Sequence, residues 1–219
     1  MLEFDPKSIQ EAIAKIKREN SHISGDVLNQ AISRALNRTA SMSRTETNKQ
    51  IRQKYNISAA RINNELKVSN SSRNKLEAAI RASGLPLSLS NFGAKQETSE
   101  GTTSFNRKGV ASSRLNRKSR SNVKKGVTFK IKKSGKSVNL PTAFIQVANG
   151  GITVFARGKY KGAGQGIEFG KERLPIAKIT TTSIPLMFAS DDVMTPTINK
   201  SESILSERIT HELNWLLSR

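Results

Sequence analysis

Residues 26–83 run without a single glycine or proline, whereas twelve of the chain's 14 glycines fall at or after Gly93. These two residue types are the strongest local interrupters of regular structure. The first part of the chain is therefore expected to be helix-rich, and the later part to consist of strands, turns and loops.

Hydrophobic spacing fills in the elements. Asp5-Pro6 has the form of a helix start, with an acceptor at the N-cap and proline at the first helical position. Ile9, Ala12, Ile13 and Ile16 then recur at helical spacing. Ser24-Gly25-Asp26 opens a second helix, with Val27, Leu28, Ala31, Ile32, Ala35, Leu36 and Met42 predicted on its buried face. Residues 43–50 are polar throughout, so this helix is expected to project from the core or to pack on another subunit. A short helix restarts at Ser58, carrying Ala59, Ile62 and Leu66. Residues 76–82 have helical composition, yet Leu76, Ala78, Ile80 and Ala82 alternate. Leu85, Leu87 and Leu89 alternate with Pro86, Ser88 and Ser90. Both stretches are read as strands, the second with proline at a sheet edge.

Residues 96–126 contain only five apolar side chains, and Ser, Thr, Gly and Asn fill much of the rest. Such a stretch buries too little surface to offset its ordering entropy, so a flexible arm over 96–122 is expected in the isolated chain. The period then changes to two. Val127, Phe129 and Ile131 face one way, and Thr128, Lys130 and Lys132 the other, with a turn at Ser134-Gly135. Phe144–Val147 and Ile152–Phe155 flank Asn149-Gly150-Gly151, a hairpin signal because positive φ is needed there. A glycine-rich loop over 158–166 leads to another short extended stretch. Thr195-Pro196 is expected to start a last helix, with Ile198, Leu205, Ile209, Leu213 and Leu216 as its apolar stripe. No internal repeat is visible. The predicted class is α+β: a helical N-terminal region (1–68), a core of antiparallel sheet with hairpins (69–95 and 123–219) closed by a C-terminal amphipathic helix, and the arm (96–122) inserted in that core.

Charge narrows the function. Lys and Arg number 37 against 17 Asp and Glu, a formal net charge of +20. A surplus of this size favours a polyanionic partner. Residues 106–136 hold twelve basic side chains and no acid: Arg107, Lys108, Arg114, Arg117, Lys118, Arg120, Lys124, Lys125, Lys130, Lys132, Lys133 and Lys136. Cations at two- to four-residue spacing suit the repeating charge of a nucleic-acid backbone or a strongly acidic protein surface. Phe105 is the arm's one aromatic residue, so base stacking and sequence-specific recognition are not expected. The plainer alternative is a solvated basic tail that keeps the protein soluble, although a twelve-to-none imbalance exceeds what solubility requires.

Enzyme signals are poor. There is no Cys, which excludes disulfides, thiolate metal sites and a Cys nucleophile. His211 stands beside Glu212 in the last helix, where a solvated role is the simpler reading, and His22 is the only other histidine. Asp191-Asp192 suits the N-terminal dipole of a helix better than a metal pair. Gly158, Gly162, Gly164, Gly166 and Gly170 lack the Gly-Lys-Ser/Thr and the strand-to-helix frame of a phosphate-binding loop. No catalytic residue, cofactor or metal site is predicted. No apolar run approaches the roughly 18 residues of a membrane span, and no basic segment precedes an apolar stretch as in a signal peptide. The chain is expected to stay in the compartment where it is made, with no membrane partner.

Several segments, taken in order, resemble the minor tail protein Z family of tailed phages and prophages, whose members are tail completion proteins. The resemblance begins at Ala35-Leu36-Asn37-Arg38-Thr39-Ala40. It is clearest at Leu140-Pro141-Thr142-Ala143-Phe144-Ile145-Gln146, followed by Asn149-Gly150 and Arg157. It continues through Pro175-Ile176 and Ser183-Ile184-Pro185-Leu186 to the amphipathic C-terminal helix. It implies a virion structural protein, assembled in the host cytoplasm, that acts at the head-proximal end of the tail in head–tail joining. It further implies a homo-oligomeric ring, commonly sixfold, around the DNA channel. The implied neighbours are a tail terminator or tail tube protein, head-completion or connector proteins, and nonspecifically held DNA. A basic nucleic-acid-binding architectural protein is the rival reading, and a nuclease a more distant one.

Overall fold

The computed structural model describes residues 14, 18, 24–98, 101–105, 110–115, 125–148, 151–160, 167–170 and 175–218. The helix expected from Asp5-Pro6 lies outside them except for Ala14 and Arg18, both helical. The class is α+β, with long helices and antiparallel sheets. The chain forms two compact units, a different division from the one predicted: the first contains the described parts of Met1–Ile51, Ala59–Gly84 and Ile184–Arg219, the second those of Arg52–Ser58 and Leu85–Ser183.

The first unit is built on α1 (Gly25–Lys54), the 30-residue helix that the glycine- and proline-free stretch predicts; its last three residues, 52–54, belong to the second unit. Leu28, Ala31, Ile32, Ala35 and Leu36 are buried as their spacing requires, while Val27 is exposed and Met42 half-buried. Leu28, Ile32 and Leu36 pack with Leu76, Ala78, Leu205 and Leu213. The short restart is α2 (Ala59–Glu65). It passes directly into β1 (Leu66–Ser69), which pairs antiparallel with β2 (Ala79–Ala82), so only the last four residues of the expected first strand are extended. Two helices close the unit, α3 (Ile184–Phe188) and α4 (Asp191–Leu217). Arg34 places its guanidinium 5.4 Å from the centre of the Trp215 ring, a cation–π contact between α1 and α4.

The polar half of α1 corrects one expectation. Ser43, Thr47 and Asn48 do not project from the core; they are buried within this unit. Each hydroxyl or amide has a partner, which is the condition for burying it without a large penalty. Ser201 Oγ lies 2.6 Å from Ser43 Oγ and 2.7 Å from the Thr197 carbonyl. Thr47 donates to the Ser43 carbonyl at 2.9 Å. The Asn48 amide donates to the Ala59 carbonyl and to Asn63 Oδ1, at 2.9 and 2.8 Å. On the facing side, α4 buries Val193, Thr197, Ser201 and Ile204, whereas the predicted stripe from Ile198 to Leu216 is half-buried. The helix also begins earlier than Thr195. Val193 and Met194 both donate to the Ser190 carbonyl, at 2.8 and 2.9 Å. Asp191 and Asp192 thus occupy the first turn, where acids complement the dipole. Pro196 stands in the second turn and withholds one N–H from the ladder.

The second unit carries two sheets. One has five strands in the order β5-β4-β3-β6-β7, comprising β3 (Lys95–Glu97), β4 (Gly101–Phe105), β5 (Ala111–Leu115), β6 (Gly126–Phe129) and β7 (Val138–Leu140). Residues expected in a flexible arm therefore form β4 and β5, paired in register from Gly101–Leu115 to Phe105–Ala111; residues 106–109 and 116–122 lie outside the described residues. Backbone pairing and hydroxyl contacts support this hairpin where apolar alternation is missing, as in Thr103 to Ser113 at 3.1 Å and Thr102 to Glu97 Oε2 at 2.6 Å. The other sheet is organised by the ten-residue β9 (Gly151–Tyr160). It pairs with β8 (Ala143–Ala148), the predicted hairpin, and with β10 (Ile167–Phe169) and β11 (Ile176–Lys178). Ala156 pairs with both Ala143 and Ala177, so a row of three buried alanines crosses this sheet. Val127 and Phe129 pack with Leu89, Ala143, Val154, Ala156 and Ile179 to form the core. The expected strand over 85–89 is absent. Ser88 makes a single bridge to Thr180, and Leu89–Phe92 is a 3-10 turn capped by Gly93 at φ 66°.

Replacing Ile32 by Ala empties a fully packed site and is expected to cost about 2–5 kcal/mol in urea denaturation. Leu213→Ala, at a half-buried site of the same cluster, should fall at or below about 2 kcal/mol.

Candidate functional site

Charge divides unevenly between the units. Over its full sequence segments the second unit has 21 Lys and Arg against 4 Asp and Glu, a net +17 of the chain's +20. Lys49–Glu46, Arg61–Glu65 and Lys75–Glu77 form ion pairs within the first unit. In the second unit Lys125, Lys132, Lys133, Lys136 and Arg157 are exposed.

Five of the predicted contact residues, Lys125, Lys130, Lys132, Lys133 and Lys136, lie around β6 and in the β6–β7 connection. The last four form a ridge whose backbone is fixed by the end of α1. Lys133 donates its N–H to the Lys54 carbonyl, and Asn56 donates to the Ile131 carbonyl, both at 2.8 Å. Tyr55 and Lys132 form an antiparallel bridge, and Gly135 closes the predicted turn onto the Lys132 carbonyl at 3.1 Å. Cations at this point also complement the negative end of the helix dipole, which gives the clustering a local stabilising cause. The ridge gains Arg52 and Lys54 from the last turn of α1, residues that the sequence reading passed over because they stand some 80 positions away. Arg114 lies in β5, opposite Thr102. Arg107, Lys108, Arg117, Lys118, Arg120 and Lys124 lie outside the described residues.

A second feature lies where the two sheets diverge. Gln96 spans them, its Oε1 accepting the Ile145 N–H at 2.8 Å and its Nε2 donating to the Gly126 carbonyl at 3.1 Å. Beyond it opens a cleft of about 360 Å³, lined among others by Glu97, Lys125, Pro141, Thr142, Phe144 and Arg157. Most of these belong to the segment that carries the family resemblance. Phe144 and Phe155 stack with their centroids 5.9 Å apart, on the sheet face that also bears Arg157 by strand alternation. The floor of the cleft requires glycine. Gly126 has φ 107°, and a β-carbon there would lie 2.0 Å from the Leu140 carbonyl oxygen. Arg157 was assigned no role from the sequence, although its place in the resemblance, after the hairpin, was the available signal.

Among the described residues no cluster of three or more His, Cys, Asp or Glu is placed to hold a metal ion. No described helix is long and apolar enough to cross a membrane. Comparison with known protein families places the chain in the class of phage tail structural proteins. Residues 7–219 match the model of the prophage minor tail protein Z family, and the chain belongs to that family. No curated protein and no solved structure matches it. Membership makes it a component of the virion tail that interacts with other virion components. The family motifs also have local work: the Asn37 amide clasps the main chain of Ser71, accepting its N–H at 2.7 Å and donating to its carbonyl at 3.1 Å.

Gly126→Ala is expected to destabilise the protein by more than about 1 kcal/mol in a denaturation followed by circular dichroism. Gly25→Ala, where a β-carbon meets nothing within 4 Å, should be neutral or stabilising by up to about 1 kcal/mol.

Proposed function

We propose that this minor tail protein is a non-enzymatic tail completion protein: copies form a ring at the head-proximal end of the tail, and the ring surrounds the DNA channel and takes part in head–tail joining. The supporting observation is the concentration of charge in one unit, with Lys130, Lys132, Lys133 and Lys136 held on a backbone that is pinned to the end of α1. A rigid cationic ridge repeated around a ring presents DNA with a dense lining that reads phosphates and not bases. The arm residues Arg107, Lys108, Arg114, Arg117, Lys118, Arg120 and Lys124 add to this lining in the same reading.

Changing Lys132, Lys133 and Lys136 to Gln tests it. All three are exposed, so folding stability should shift by no more than about 0.5 kcal/mol. The slope of log affinity for DNA against log salt should become shallower by about 0.9 for each lysine that neutralises a phosphate. In complementation, filled heads and tails should accumulate unjoined when counted by electron microscopy. Normal yields of joined particles that retain DNA would remove the ridge from this role.

A further inference from the structure

The cleft between the sheets contains an imbalance. Lys125 and Arg157 line it with no acidic partner within 4.0 Å among the described residues, and its one carboxylate, Glu97, is already engaged by the Thr102 hydroxyl at 2.6 Å. Pro141 and Phe144 supply apolar wall beside these cations. An occupant that fits is therefore a protein segment with carboxylates next to an exposed apolar side chain.

The chain itself presents such a segment. α4 is the one described helix whose acids outnumber its bases, five to two. Asp191, Asp192 and Glu202 are exposed on the side of α4 opposite the buried Val193, Thr197, Ser201 and Ile204, as a 3.6-residue period places them. Leu186, in α3 and five residues before Asp191, is 66% exposed. We propose that the cleft of one copy receives this acidic start of α4, with Leu186 against the Pro141–Phe144 wall, from a second copy. The contact joins two different surfaces, so it repeats head to tail and closes a ring where the rotation permits. It deepens the ring reading above by naming the surfaces, and charge complementarity selects the partner.

Charge reversal on the full chain decides it. Lys125→Glu with Arg157→Glu gives a cleft variant that is negative at both surfaces. Asp191→Lys with Asp192→Lys gives a helix variant that is positive at both. Since those acids also serve the first turn of α4, Asp191→Asn with Asp192→Asn and Glu202→Lys keeps polar side chains there and still leaves the surface positive, should the first pair fail to fold. In sedimentation equilibrium the unaltered chain should self-associate, more weakly by about tenfold or more as salt rises from roughly 50 to 300 mM. Each variant alone should lose association, and an equimolar mixture should regain it by alternation, because every contact in the mixture pairs opposite charges. Variants that associate as tightly as the unaltered chain, or a mixture that stays monomeric, overturn the contact and leave ring assembly to another surface. An unaltered chain that remains monomeric at low salt up to about 100 μM also overturns it; the role of the ridge in joining is judged separately, from particles.

Discussion

The amide of Gln96 is the interaction on which the second unit turns. It satisfies a donor on β8 and an acceptor on β6 at once, and so holds two sheets at the separation where Val127 and Phe129 meet Val154 and Ala156. An apolar side chain at this position would leave a main-chain N–H and a carbonyl without their partner, a cost larger than the packing it could add. The same bridge determines where the sheets part, and hence where the cleft lies. The small residues of the row Ala143, Ala156 and Ala177 belong to this arrangement, since they let the facing layer approach closely.

The two units meet opposite demands with the same resource, hydrogen-bonded polar groups. In the first, Ser43, Thr47, Thr197 and Ser201 are taken out of water, which restricts how α1 and α4 pack because each hydroxyl accepts few geometries. In the second, hydroxyl contacts help to hold together a hairpin with little apolar surface. A unit with a net charge of +17 gains nothing from drawing its cations inward. Its backbone is instead fixed by sheet pairing and by residues 52–58, while Lys132, Lys133 and Lys136 stay exposed.

Much of this was legible in the sequence, for physical reasons. The buried face of α1 follows from helical periodicity, and the β8–β9 hairpin from alternation around Asn149-Gly150-Gly151. Closure by a long helix followed from the spacing of its apolar residues. The β4–β5 hairpin was not legible, because its strands carry Ser and Thr where alternation would show Val or Ile, and pairing with β3 supplies what the side chains lack. The buried half of α1 was missed because Ser43 and Asn48 reveal themselves as interior only through partners far along the chain. The start of α4 was misplaced because Pro196 fits the second turn as its φ also fits the first. Of the site, the charge was plain from composition. The cleft was hidden, since its lining joins residues from 96 to 157 that only the folded sheets bring together.

The Trp215 that stacks under Arg34 is the chain's only tryptophan, and it lies in the first unit; the two tyrosines, Tyr55 and Tyr160, both lie in the second. Each unit thus carries its own intrinsic fluorophore, excited and emitting at a separate wavelength. Red-edge excitation reads α1 against α4 alone, and tyrosine emission reads the sheets. With no label attached, one titration separates a chain that melts in a single cooperative step from one whose two units let go in turn.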